Sequence, residues 1–210
     1  MRSMGHRIFI AINLLENIKR KLAEYEGKWP DLPARWTKVN NIHITLVFLG
    51  HLDDEELVDV CKITKEVASR NSPFRVVLNK ICYGPVNEGG NKPPRSPKFS
   101  EEKFWRPRMV WAVGEKSQEF AALRDDLEKS LVQSEAVSFS PENRAFSPHV
   151  TLARINQWEW RKIEPEERPE VNEDINLSFD VDSIEIMESE LKRGGPKYTI
   201  LKSHNFGKEL

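Results

Sequence analysis

Cysteine is nearly absent, with Cys61 and Cys82 standing alone in 210 residues, far apart and outside any metal-ligand spacing. Their scarcity excludes a disulfide framework and a thiolate zinc site, so both are expected to be free buried thiols in a reducing compartment. Long apolar runs are lacking as well, and nothing reaches the length that spans a bilayer. The apolar run Ile8 to Leu15 holds Asn13 and passes straight into a charged amphipathic stretch, unlike a secretory signal. A cytoplasmic protein with no membrane contact is therefore expected. Charge of one sign is also missing: 32 Lys and Arg against 33 Asp and Glu leave −1. No global field draws the chain to nucleic acid, so any polyanion site must be local.

What is present is a repeat. Asn41-Ile42-His43-Ile44-Thr45-Leu46-Val47-Phe48-Leu49-Gly50 contains a four-residue pattern that returns as His149-Val150-Thr151-Leu152. Both copies read His-apolar-Thr-Leu and lie in runs rich in β-branched and aliphatic residues, Ile42 to Leu49 and Val150 to Ile155, which predicts two strands. Alternation then places His43 and Thr45 on one face with Ile44 and Leu46 on the other, and pairs His149 with Thr151 in the same way. Two such strands can line a shared polar cleft.

The rest of the chain supplies a frame for them. A strand is predicted at Arg7 to Ile12. A helix follows over Glu16 to Gly27, where Ile18, Leu22 and Tyr25 fall at helical spacing, and Pro30 and Pro33 bar its extension. Asp53 or Asp54 caps a second helix that ends near Arg70-Asn71-Ser72-Pro73. Phe74 to Tyr83 reads as a strand whose alternation slips before Ile81. Met109 to Val113 is a short strand, and Phe120, Leu123, Leu127 and Leu131 mark a helix over Ser117 to Val132. Trp158 to Pro169 reads as an irregular connection. Two final strands are expected at Leu177 to Leu191 and Lys197 to Phe206, with Gly194-Gly195-Pro196 as their turn. Val86 to Pro107 breaks the texture: its glycines and prolines predict a long loop, with Lys92, Arg95, Lys98, Lys103 and Arg106 among Phe99, Phe104 and Trp105. Each His-x-Thr strand follows a strand and a helix, which points to two related halves facing each other.

Two imidazoles across a cleft provide an acid and a base near neutral pH. In-line displacement at phosphorus needs both, one to deprotonate the attacking oxygen and one to protonate the leaving oxygen. The threonine hydroxyls can donate to non-bridging phosphate oxygens. Opposite protonation states of the two rings predict a bell-shaped pH profile. Arg154 adds a cation near the second motif, but strict alternation from His149 points it the wrong way, so its participation requires a twist, a bulge or reach around the strand end. Two histidines are too few for zinc, and no further ligand cluster exists in the sequence. His6, His51 and His204 lack the threonine partner and are expected at the surface or at caps, while Thr64 and Thr199 are ordinary packing positions.

The two motifs in this order, with Arg7 to Ile12, Arg108-Met109-Val110-Trp111, Phe146-Ser147-Pro148-His149-Val150-Thr151-Leu152-Ala153-Arg154 and Ser189-Glu190-Leu191 through Gly195-Pro196-Lys197-Tyr198, resemble the 2H phosphoesterases, and among them the RNA 2',3'-cyclic phosphodiesterases, also called LigT-like or 2'-5' RNA ligases. The resemblance implies an α+β, two-lobed fold over residues 1–210, with pseudo-symmetric halves whose antiparallel sheets flank a central cleft, and an insertion at about 86–107. It implies hydrolysis of a 2',3'-cyclic phosphate at an RNA end, or of a small cyclic nucleotide, to a 2'-phosphomonoester, by a monomer with no metal or other cofactor. His43 would protonate the leaving 3' oxygen, His149 would activate water, and Thr45 and Thr151 would bind the phosphate. Phe48 and Tyr198 would contact the nucleoside and Arg154 phosphate. Joining to a 5' hydroxyl in a 2'-5' linkage is the reverse chemistry of the same site. A module that holds the RNA end without turnover is the remaining alternative, and the intact histidine pair argues against it.

Overall fold

A computed structural model of the chain describes residues 5–85, 106–135, 137–141 and 148–207. The apolar run at the start forms β1 (His6–Asn13), buried from Ile8 to Ile12. Helix α1 (Glu16–Ala23) buries Ile18 and Leu22 and continues as a 3-10 turn, Glu24–Lys28. A short strand β2 (Ala34–Trp36) precedes β3 (His43–Leu52), the first His-x-Thr strand. Helix α2 (Asp54–Arg70) begins where expected: Asp53 accepts from the backbone N–H groups of Glu55 and Glu56, and the Glu56 carboxylate accepts from the Asp53 N–H. Such a cap is worth about 1 kcal/mol. There follow β4 (Phe74–Gly84), β5 (Met109–Gly114), α3 (Gln118–Gln133) capped by Ser117, β6 (His149–Ile155), the single turn α4 (Gln157–Trp160), β7 (Asn172–Val181), β8 (Ser183–Lys192) and β9 (Gly195–Asn205). No helix among the described residues is long and apolar enough to cross a membrane.

The strands pair in the order β7-β4-β5-β6-β3-β1-β8-β9, every neighbour antiparallel, with β2 added along β6. The order is symmetric about its centre. On each side a motif strand pairs with an earlier strand of the chain, β3 with β1 and β6 with β5, and two further strands complete the half. The halves meet through one residue pair, Ile44 with Val150, the apolar residues inside the two motifs. The expected two-lobed α+β fold with antiparallel halves is what forms, and the halves run into one another as a single curled sheet. Behind the sheet, Ile44, Leu46, Val150 and Leu152 pack with Leu22, Val60, Val67, Phe120, Leu123 and Leu127 of the helices into one core. The helices pack on the face of the leucines, and His43, Thr45, His149 and Thr151 point from the other.

Several elements differ from expectation. The stretch predicted as one strand from Leu177 to Leu191 is two, broken at Asp182: β7 pairs with β4 in one half and β8 with β1 in the other. The alternation marks the break: Leu177, Phe179 and Val181 fall on odd positions and Ile184 and Ile186 on even ones, so the inward face changes phase across Asp182 and Ser183. The final turn is Arg193-Gly194, one residue earlier than expected, and Gly195 closes it with φ +104, a conformation open to glycine. Within the stretch from Trp158 to Pro169, Asn156 caps α4 and Trp160 is fully buried. His204 was expected at the surface and is buried instead, because β9 turns it toward α2 rather than solvent. Cys61 and Cys82 are both free thiols, the second buried. Residues 86–105 of the expected loop, with their cations and aromatics, lie outside the described residues.

Candidate active site

The polar face of the two motif strands is extended by a matched irregularity. In β3, Ile10 pairs with Val47 and the next residue, Ala11, pairs with Thr45, so Leu46 is an extra residue. In β6, Val110 pairs with Ala153 and Trp111 with Thr151, so Leu152 is the extra one. The leucine of each His-x-Thr-Leu is thus a β-bulge, which places two consecutive residues on the core side and reverses the alternation beyond. Leu46 and Val47 are both buried, as are Leu152 and Ala153. Phe48 and Arg154, each five residues after its histidine, therefore swing onto the face that carries His43, Thr45, His149 and Thr151. This is the bulge that the participation of Arg154 required.

These six side chains and Tyr198 line one cleft of about 600 Å³. His43 sits in an apolar wall. Its ring lies 5.0 Å from that of Phe9 and 5.2 Å from that of Tyr198, which meets it edge-on at 88°. Nδ1–H donates to the Asn41 carbonyl at 2.7 Å, and because a carbonyl can only accept, that nitrogen carries the proton in the neutral ring. Nε2 then accepts from the Thr45 hydroxyl at 2.9 Å. Burial pushes the His43 pKa down to about 4, outweighing the Asn41 hydrogen bond, with smaller contributions from the positive charge of Lys19 and from His149. In the free protein at neutral pH His43 is uncharged and its cleft-facing nitrogen is a base.

Asn41 holds this arrangement from behind. Its side chain donates to the Pro196 carbonyl at 2.7 Å and accepts from the Tyr198 N–H at 3.3 Å, fastening the residue that orients His43 onto β9. His149 is backed differently, by the indole of Trp111 stacked on it at 3.8 Å and 25°. That indole lies flat on Gly84, where an added Cβ would come 2.3 Å from its ring. Tyr198, expected to meet the nucleoside, is half-buried against His43 and Phe9, whereas Phe48 is 62% exposed and free to stack on a base. Arg35, Lys38 and a close ion pair on α3, Arg124 with Glu128 at 2.6 Å, complete the wall.

Sequence reasoning missed Phe9, Asn41, Trp111, Arg35 and Lys38. Phe9 comes against His43, and Trp111 reaches the cleft, only through the register of β1 on β3 and of β5 on β6, which no local pattern encodes. Asn41 stood beside the first motif, but its carbonyl and amide contacts join residues far apart in the chain. Among the described residues no group of three His, Cys, Asp or Glu side chains is placed to hold a metal ion.

Comparison with known proteins fits this geometry. A family model described as LigT like Phosphoesterase matches residues 12–93, and one described as 2'-5' RNA ligase superfamily matches residues 95–193. A Thermus thermophilus relative named RNA 2',3'-cyclic phosphodiesterase is 31% identical over 205 residues, covering 93% of this chain and 88% of that protein. The chain belongs to the LigT-like phosphoesterase family. A relative of the same name from Aquifex aeolicus is 26% identical over 96% of this chain and 97% of its own length. A crystal structure from Thermus thermophilus aligns with a TM-score of 0.74 at 28% identity, over 97% of this chain and all of that one. Escherichia coli LigT complexed with 3'-AMP shares the fold, with a TM-score of 0.70 at 21% identity over 96% of this chain and 98% of its own.

Proposed function

We propose that this LigT-like protein hydrolyses 2',3'-cyclic phosphate ends of RNA to 2'-phosphomonoesters, using His43 and His149 as the proton-transferring pair. The observation that carries the reading is the duplicated geometry: two histidines and two threonines at the same offsets on adjacent central strands, facing one cleft, each pair followed by the same bulge. The names borne by its relatives agree with it. Water attacks phosphorus as one imidazole takes its proton, the bond from phosphorus to the 3' oxygen breaks, and the other imidazolium gives that oxygen a proton. The histidines exchange protonation states and water restores them. Thr45 and Thr151 donate to the non-bridging oxygens, so charge accumulating on the phosphoryl group meets preorganised donors. No step calls for a metal ion.

His43 serves as the acid and His149 as the base. Since His43 is neutral when the cleft is empty, its acidic proton must arrive with the substrate, whose anionic phosphate favours the imidazolium. One observation favours the opposite assignment: the same depressed pKa leaves Nε2 of His43 bare and already hydrogen-bonded to Thr45, as a base would be.

The test is turnover, in excess chelator, of a short RNA ending in a 2',3'-cyclic phosphate, resolving 2'-phosphate from 3'-phosphate product. Exclusive 2'-phosphate is expected, and retention of the RNA without turnover would replace the enzyme by a binding module. A substrate with sulfur at the bridging 3' position needs no acid, so it restores turnover to His43→Ala if His43 is the donor and to His149→Ala if the roles are reversed.

A further inference from the structure

The reacting phosphate is served by two histidines and two threonines, yet the same cleft presents a second set of polar side chains, all cationic. Strand β2 lies along the edge of β6 with Arg35 directly opposite Arg154, and both line the cleft. Like charges opposed on neighbouring strands repel, and among the described residues neither guanidinium is in an ion pair. Lys38 lines the same wall, with its ammonium beside Gly194.

Arg35 is held in place. Its Nη2 donates to the Gly194 carbonyl at 2.7 Å, and the guanidinium lies so close on Gly195 that an added Cβ would fall 1.5 Å from Nη2. The turn between β8 and β9 is thus shaped around this side chain. A guanidinium has five N–H donors, and the bond to Gly194 uses one. In a chain of net charge −1, this is a local concentration of positive charge pinned before any ligand arrives. Its position fixes its target. Arg154 stands roughly 10 Å of strand beyond Thr151, and Arg35 one strand spacing, about 4.8 Å, further out. The pair addresses a group adjacent to the reacting phosphate.

We infer that Arg35, with Arg154 and Lys38, binds the internucleotide phosphodiester next to the nucleoside that carries the cyclic phosphate. The substrate class is then an RNA oligonucleotide end and not a cyclic mononucleotide. Planar guanidinium forks suit phosphate oxygens, and an anion between Arg35 and Arg154 relieves the repulsion that the bare pair carries. The inference rests on the phosphodiesterase reading above and deepens it.

The experiment measures kcat/KM on a tetranucleotide ending in a 2',3'-cyclic phosphate and on a nucleoside 2',3'-cyclic monophosphate, for the unaltered protein and for Arg35→Gln, which keeps a donor for Gly194 and removes the charge. The unaltered protein is expected to prefer the tetranucleotide by tenfold or more, and Arg35→Gln to cut that ratio about tenfold. The slope of log kcat/KM against log salt on the tetranucleotide should become shallower by about 0.7, one single-strand phosphate contact. An unaltered protein that turns over neither substrate refutes the phosphodiesterase reading itself. Turnover of both without preference leaves that reading standing and overturns the second phosphate site. Equal loss on both substrates in Arg35→Gln also overturns it, since the residue would then only fasten the turn.

Discussion

The two halves of the sheet carry one geometry in two settings. Each has a His-x-Thr pair, a bulged leucine, and a neighbouring strand whose register meets the threonine, Ala11 in one half and Trp111 in the other. The small Ala11 leaves room for Tyr198 to close over His43 from β9, together with Phe9, and the imidazole is desolvated. In the second half Trp111 fills that space itself and stacks flat on His149. Five residues beyond each histidine stand an exposed phenyl ring, Phe48, and a guanidinium, Arg154. The backbone is duplicated, and the side chains around it divide the labour. One half surrounds its histidine with aromatic rings, and the other sets a guanidinium in the cleft beside its own.

The comparison breaks most directly at the histidines. His43→Ala and His149→Ala are each expected to lower kcat by 10²–10⁴, measured on an RNA 2',3'-cyclic phosphate with the far-ultraviolet circular dichroism unchanged. Because both act in one step, the double variant should lose little more than the worse single one. Additive losses would mean that the two halves act separately.

A smaller effect is expected from the support beneath His149. In Gly84→Ala the new methyl would sit 2.3 Å from the Trp111 ring, so the indole must lift and carry the imidazole with it. A loss of about tenfold in kcat/KM is expected, since misplacing a catalytic group by a fraction of an ångström is costly. The first half has no counterpart to this stack, and activity equal to the unaltered protein would show that Trp111 does not position His149.

Much of this site was legible in the sequence. The repeated His-x-Thr pointed to the residues that line the cleft because a strand's period of two is strict over three residues, whatever surrounds it. The cap of α2 and the apolar stripe of α3 were legible for the same reason, being local rules of spacing. The bulges were not, although they were needed for Arg154: a bulge is a mismatch of count between two strands and exists only in their pairing. The division at Asp182 left a local trace, the change of phase from Leu177, Phe179 and Val181 to Ile184 and Ile186, but the change of partner from β4 to β1 exists only in the pairing. Arg35 escaped notice because β2 is three residues long and is a strand only by virtue of β6.

The last contrast is electrostatic and sets the cleft against the rim. Burial holds the folded-state pKa of His43 near 4, against about 6.5 in an unfolded chain. Between those values the unfolded chain binds the proton and the folded one does not, so stability is fully present above about pH 6.5 and is lost as pH falls toward 4, by up to about 3 kcal/mol. His6 at the rim runs the other way. Hydrogen bonds to Glu188 and Asp54 raise its pKa, so its contribution is present below about pH 6.5 and is lost as pH rises through the raised value. Urea denaturation of His43→Gln from pH 4.5 to 7.5 should therefore show a flatter loss of stability toward acid than the unaltered protein, and His6→Gln a steeper one. If His43→Gln retained the full acid slope, the ring would be solvated in the folded state. The depressed pKa that makes His43 a base in the empty cleft would go with it.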